Sequence, residues 1–96
     1  MFYVKLLIMK IYLGRSLKGH DKNHVYVIYE ETDDGYYLVN GTTKTVSKPK
    51  KKNKIHVQLI KNLPESVEAI LRTVESIDDE TARKVVDTYN RYIDSK

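Results

Sequence analysis

The apolar positions change period once, near residue 62. Before that point they form short β-branched and aromatic runs. His24-Val25-Tyr26-Val27-Ile28-Tyr29 is such a run and predicts a strand. Asp33-Asp34-Gly35 is a turn signal, and Tyr36-Tyr37-Leu38-Val39 predicts the next strand. Asn40-Gly41 is the strongest short hairpin turn in the chain, so Thr43 to Val46 is expected to return as a strand. Lys48 to Lys54 is expected as a loop. Pro49 removes a ladder donor there, and the lysines repel one another, which excludes a central strand. Ile55 to Ile60 alternates again and is expected to rejoin the sheet. Short strands at this spacing predict a small antiparallel barrel.

Beyond Asn62 the period becomes 3.6. Pro64 suits a first helical position, and Glu65 suits the positive end of the helix dipole. Val67, Ile70, Leu71 and Val74 make one apolar stripe. Ser76-Ile77-Asp78-Asp79 separates it from a second stripe of Ala82, Val85, Val86, Tyr89 and Ile93. Asp78 is the expected N-cap, with Ile77 stapling against Ala82. Arg83 with Asp87, and Asp87 with Arg91, are spaced as ion pairs on the outer face. The expected architecture is mainly β with C-terminal α: a small barrel over residues 10–62 and a two-helix hairpin over 63–96. Residues 1–9 stand apart. Phe2, Val4, Leu6 and Ile8 alternate and predict an extra strand ahead of Lys10; the alternative is an extension ahead of a start at Met9. The apolar run from Met1 to Leu13 is too short to cross about 30 Å of hydrocarbon and lacks the pattern of a secretory signal.

Charge sharpens this picture. The chain has 96 residues and a net charge of +4. Residues 1–34 are balanced, and residues 65–96 are acidic on balance. Between them, Lys44, Lys48, Lys50, Lys51, Lys52, Lys54 and Lys61 face no acid in their own third of the sequence. This asymmetry points to a polyanionic partner, nucleic acid or an anionic surface, or to a solvated loop that only maintains solubility. Cysteine is absent, which removes disulfides, thiolate metal sites and thiol nucleophiles and fits a reducing, cytoplasmic setting.

Three ordered pieces carry a resemblance. They are Ser16-Leu17-Lys18-Gly19-His20-Asp21-Lys22-Asn23, then Asn40-Gly41-Thr42-Thr43-Lys44, then Lys48-Pro49-Lys50-Lys51-Lys52-Asn53-Lys54-Ile55-His56. With Leu63-Pro64-Glu65 and Ile77-Asp78-Asp79-Glu80 added, the resemblance covers residues 10–95. The first piece, followed by an aromatic-rich strand, resembles the KOW motif. More narrowly, it resembles small bacterial KOW-domain RNA-binding proteins related to large-subunit ribosomal protein fourteen of the eukaryotic and archaeal type. Asn23 stands where that pattern ends in glycine, at a position wanting positive φ, and Asn is the best substitute. His20 stands in place of an arginine, and Lys44 matches another. The resemblance implies an SH3-like barrel and association with RNA, ribosomal RNA or the ribosome.

Phosphate recognition needs cations that reach it, and lysine is a point charge on a flexible stem. The candidate RNA-binding residues are Arg15, Lys18, His20, Lys22, His24, Lys44, Lys48, Lys50, Lys51, Lys52, Lys54 and His56. Gly19, Asn23, Asn40 and Gly41 are candidate turn residues. The motif loop and the lysine segment are expected to share one basic face. Tyr26 and Tyr29 lie on opposite strand faces by parity, so at least one is expected in the core.

Catalysis is not expected. His20 and His24 sit at a loop-to-strand junction rather than on one helix face, so no metal site is expected. Ser16 and Asp21 read as turn chemistry. The glycines are too scattered for a phosphate-cradling loop. No cofactor or small-molecule substrate is expected. The alternative function is an SH3-like protein-interaction module of the translation or transcription machinery, docking through its barrel or its C-terminal helices. A membrane role lacks the basic amphipathic helix that attachment usually needs.

Overall fold

Alternation places two different sets of side chains on the two faces of one sheet. The structure, a computed structural model, describes residues 11–95. Its strands are β1 (Leu13–Ser16), β2 (Val25–Glu31), β3 (Gly35–Val39), β4 (Lys50–Asn53) and β5 (Val57–Ile60). All neighbours are antiparallel, in the order β4-β3-β2-β1-β5. The sheet is not closed: β4 and β5 are its two edges. A 3₁₀ turn, Lys54–His56, leads into β5. Two helices follow, α1 (Glu65–Leu71) and α2 (Asp79–Asp94).

Leu13, Val25, Val27 and Val39 meet the helices through Val67, Ala82, Val85, Val86 and Tyr89. The other face gathers Tyr26, Tyr36, Leu38 and Val57, flanked by Ile28 and Leu59. Leu13, Val27, Leu38 and Val39 are fully buried, each stabilising the fold by about 1.5–3 kcal/mol. The ladder between β2 and β3 shifts register between Ile28 and Glu30, where Tyr29 is the extra residue of a bulge. Tyr26 is buried and Tyr29 is exposed, as parity requires of one of the two.

The helices follow the expected stripes closely. Asp78 caps α2, its carboxylate accepting from Thr81 N–H at 2.8 Å. That backbone donor holds the Asp78 carboxyl below the usual carboxylate range. Ala82, Val85, Val86 and Tyr89 are buried, Ile77 packs against the same cluster, and Ile93 is exposed. Pro64 is the N-cap of α1 rather than its first residue, and the helix ends before Val74. Among the described residues, neither Arg83 nor Arg91 pairs with Asp87. No described helix is long and apolar enough to cross a membrane.

Three expectations are corrected. Thr43 to Val46 is a turn, with an isolated bridge between Thr45 and Lys48 that lies outside the strands of the sheet. The Asn40 side chain explains this: its carbonyl accepts from Thr42 N–H and Lys44 N–H, which curls the segment. Lys48 to Lys54 is not a loop, because its lysines build edge strand β4 and Lys54 opens the 3₁₀ turn. An edge tolerates Pro49 at its entrance, and the lysine charges find acids nearby. The last strand starts at Val57, leaving Ile55 77% exposed in the 3₁₀ turn. The strand expected ahead of Lys10 lies outside the described residues.

Gly41 joins the two halves. Its φ is 81°, and a Cβ there would stand 2.0 Å from the Asp79 carbonyl oxygen. Nearby, Val46 N–H donates to the Asp79 carboxylate at 2.8 Å. The turn therefore lies directly on the first turn of α2. Gly41→Ala forces both an unfavourable backbone conformation and a clash with helix backbone. It is expected to destabilise the protein by at least about 2 kcal/mol, a fall in Tm of roughly 10 °C by thermal denaturation.

Candidate nucleic-acid interface

The loop of residues 17–24 joins β1 to β2 and is held by its own backbone. Ser16 N–H donates to His24 O at 2.9 Å, and Asn23 N–H donates to Ser16 O at 2.7 Å. Lys22 N–H reaches Gly19 O, and His24 N–H reaches Asp21 O. Two residues adopt positive φ to close it, Gly19 at 98° and Asn23 at 75°. Asn23 thus occupies the conformation anticipated for it, at the cost Asn bears better than other side chains.

The loop is also pinned from beneath by Asp21, which is 8% exposed. Ser16 Oγ lies 2.9 Å from Asp21 Oδ1 and 3.1 Å from Lys18 O, one proton shared between two acceptors. Tyr26 OH donates to Oδ2 at 2.8 Å. Lys52 Nζ donates to Oδ1 at 3.0 Å, and Lys50 Nζ stands 3.5 Å from Oδ2. Burial alone pushes the Asp21 carboxyl up. The hydrogen bonds from Lys52, Tyr26 and Ser16 and the Lys50 charge outweigh it and hold the carboxyl far below the usual carboxylate range. Burial and the bond to Asp21 push the Tyr26 hydroxyl well above the usual phenol range. Ser16 and Asp21 are expected from the sequence as local turn residues. The loop carbonyl contact bears that out, but the carboxylate does more, tying the loop to an edge strand thirty-one residues away.

The register explains which lysines reach Asp21. Tyr36 pairs with Lys52 and Leu38 with Lys50, so both lysines lie on the face of the second apolar cluster. Lys51 pairs with Tyr37 and points the other way. Its Nζ sits 5.9 Å from the Tyr37 ring centroid and 3.4 Å from Asp34. Lys54 bonds Glu31 at 2.7 Å and lies 5.5 Å from the Tyr36 ring centroid. The Thr32 hydroxyl and Lys51 hold the Asp34 carboxyl down. Each of these lysines therefore already has an acid.

The remaining candidates are placed differently. Lys18, His20, Lys22 and His24 are exposed on the loop, with no ion pair among the described residues. Arg15 is half-buried in β1, and its Nε is buried without a hydrogen-bond partner. Lys44 and Lys48 belong to the turn that docks on α2, and His56 ends the 3₁₀ turn beside Leu17. The loop and the lysine segment do adjoin, through Asp21. Sequence reasoning missed Asp21 and Tyr26 as participants. A signal was present: Asp21 is the one acid between Gly14 and Tyr29, flanked by serine and tyrosine five residues away on each side. No group of three His, Asp or Glu side chains that could hold a metal occurs among the described residues. A cleft of about 490 Å³ between Tyr12, Leu63 and Leu71 contains none of the anticipated site residues. No protein-family model matches the chain, and no curated protein matches it significantly.

Asp21→Asn removes the charge that Lys52 and Lys50 face, and leaves Lys52, with an 11% exposed side chain, nearly without compensation. The expected loss is about 3 kcal/mol at neutral pH. The pH dependence follows from the depressed carboxyl. Its contribution is full above the unfolded carboxylate range, near pH 4, and fades as pH falls toward the lower folded value. Urea denaturation from pH 7 to pH 2 is therefore expected to show the gap between wild type and Asp21→Asn narrowing below about pH 4.

Proposed function

We propose that this protein binds RNA, ribosomal RNA or the ribosome among its targets, by charge and shape and without catalysis. The observation that carries the reading is the β1–β2 loop, a bonded scaffold presenting Lys18 and Lys22 with no acid of their own. Phosphate binding to cations already positioned loses less backbone entropy than binding to a floppy tail. The strand order and the 3₁₀ turn ahead of β5 support the SH3-like, KOW-type reading of the sheet. The positive φ of Asn23 supports the same motif assignment.

A second reading, a protein-docking module, draws on Leu17 and Ile55, both exposed near the loop. It requires binding that is insensitive to salt and independent of the loop cations.

The purified protein should bind a pool of ribosomal RNA fragments. If about three phosphates are contacted, log K should fall against log salt with a slope of roughly −2 to −2.7. Filter binding from low to moderate salt measures it. No binding at low salt sinks the RNA reading and leaves protein docking.

A further inference from the structure

The lysines are the most conspicuous feature of the sequence, yet the structure divides them into two classes. Lys50 and Lys52 are bound to buried Asp21. Lys51 and Lys54 are bound to Asp34 and Glu31, in a region that also carries Glu30 and Asp33. Two cations among four acids give that end of the sheet a negative balance, which repels phosphate. Lys44 lies in the turn docked on the first turn of α2, where Asp78, Asp79 and Glu80 cluster. These five lysines are therefore poor sites for a polyanion.

The opposite balance holds where β1 ends. Lys18 and Lys22 project from a loop fixed by the Ser16 hydroxyl, which donates to Lys18 O, and by a backbone bond from Lys22 N–H to Gly19 O. Arg15 stands just ahead of it, with a buried Nε that no described group accepts from. Asp21 is the only acid within the loop, and two lysines more than cancel it. We infer that the RNA phosphates are contacted by Arg15, Lys18 and Lys22 at the loop end, while Lys50 and Lys52 are counterions of Asp21 and contact none. Asp21 is then a positioning residue, which holds the loop cations in place through Ser16 and Tyr26.

This assignment rests on the RNA reading and has its own test. Lys18→Ala with Lys22→Ala removes two exposed side chains that make no hydrogen bond among the described residues, so Tm should be unchanged. Lys51→Ala with Lys54→Ala removes the same charge from the other end. Both double variants and wild type are titrated with the same ribosomal RNA pool across a salt series. Loss of Lys18 and Lys22 should flatten the salt slope by roughly 1.5 units, and loss of Lys51 and Lys54 should leave it unchanged. Asp21→Asn separates positioning from simple charge. Removing a negative charge and freeing two lysines steepens the slope if charge alone matters; with Asp21 as the positioning residue, affinity falls and the slope does not steepen. A slope carried by Lys51 and Lys54, or a steeper slope in Asp21→Asn, overturns the assignment while leaving RNA binding intact. Absence of binding by wild type overturns the RNA reading itself, and the assignment with it.

Discussion

A carboxylate removed from water must be matched by donors and charge, or it takes up a proton. Asp21 is matched by four groups from three places: Ser16 at the end of β1, Tyr26 in β2, and Lys50 and Lys52 in β4. Satisfying one side chain thus fixes the loop geometry, the position of β4 over the second apolar cluster, and the state of two lysines. Neutral hydrogen bonds each contribute about 1 kcal/mol, whereas the charge-assisted bonds at Asp21 are worth more and are harder to leave half made. Remove any one partner and the buried carboxylate is left with too few donors. The arrangement is therefore all or nothing in a way that the apolar clusters are not.

The same interaction explains how the charge pattern of the chain and its surface differ. The middle third is a polycation in sequence. In three dimensions β4 lies across the acids of β2, the β2–β3 turn and the loop, so most of that charge is matched. Of the positive charge that remains, Lys18 and Lys22 stand together on the β1–β2 loop, while Lys44, Lys48 and Lys61 have no ion pair among the described residues. Net charge describes how the chain meets a distant polyanion; local pairing decides which residues touch it.

β2, β3 and both helices were legible because each has a local signature: β-branched runs, a 3.6-residue stripe, or a capping aspartate followed by an apolar staple. β4 was not legible, because a lysine run has no strand propensity of its own. It becomes a strand only beside Tyr36, Tyr37 and Leu38 and acids 17 to 31 positions away. The turn at Thr43 to Val46 misled for a related reason. Its β-branched residues favour a strand, but the Asn40 side chain and the docking of Gly41 on α2 override that preference. At the site, the loop and its glycine-like Asn23 were readable. The division of lysines into paired and unpaired was not, since it depends on which face of an edge strand each occupies.

The run of charge along β4 also bears on solubility. β4 is an edge of the described sheet, and its outer side offers backbone donors and acceptors to any passing strand. A second copy approaching edge to edge would bring its own Lys50, Lys51 and Lys52 against the first set, and like charges across such a seam repel. The lysines that the fold ties to Asp21 and Asp34 thus keep an open ladder from growing into a stack. Acetylation of Lys51, which stands outside the Asp21 cluster and pairs only with exposed Asp34, would erase one of these charges without disturbing the cluster and weaken that guard.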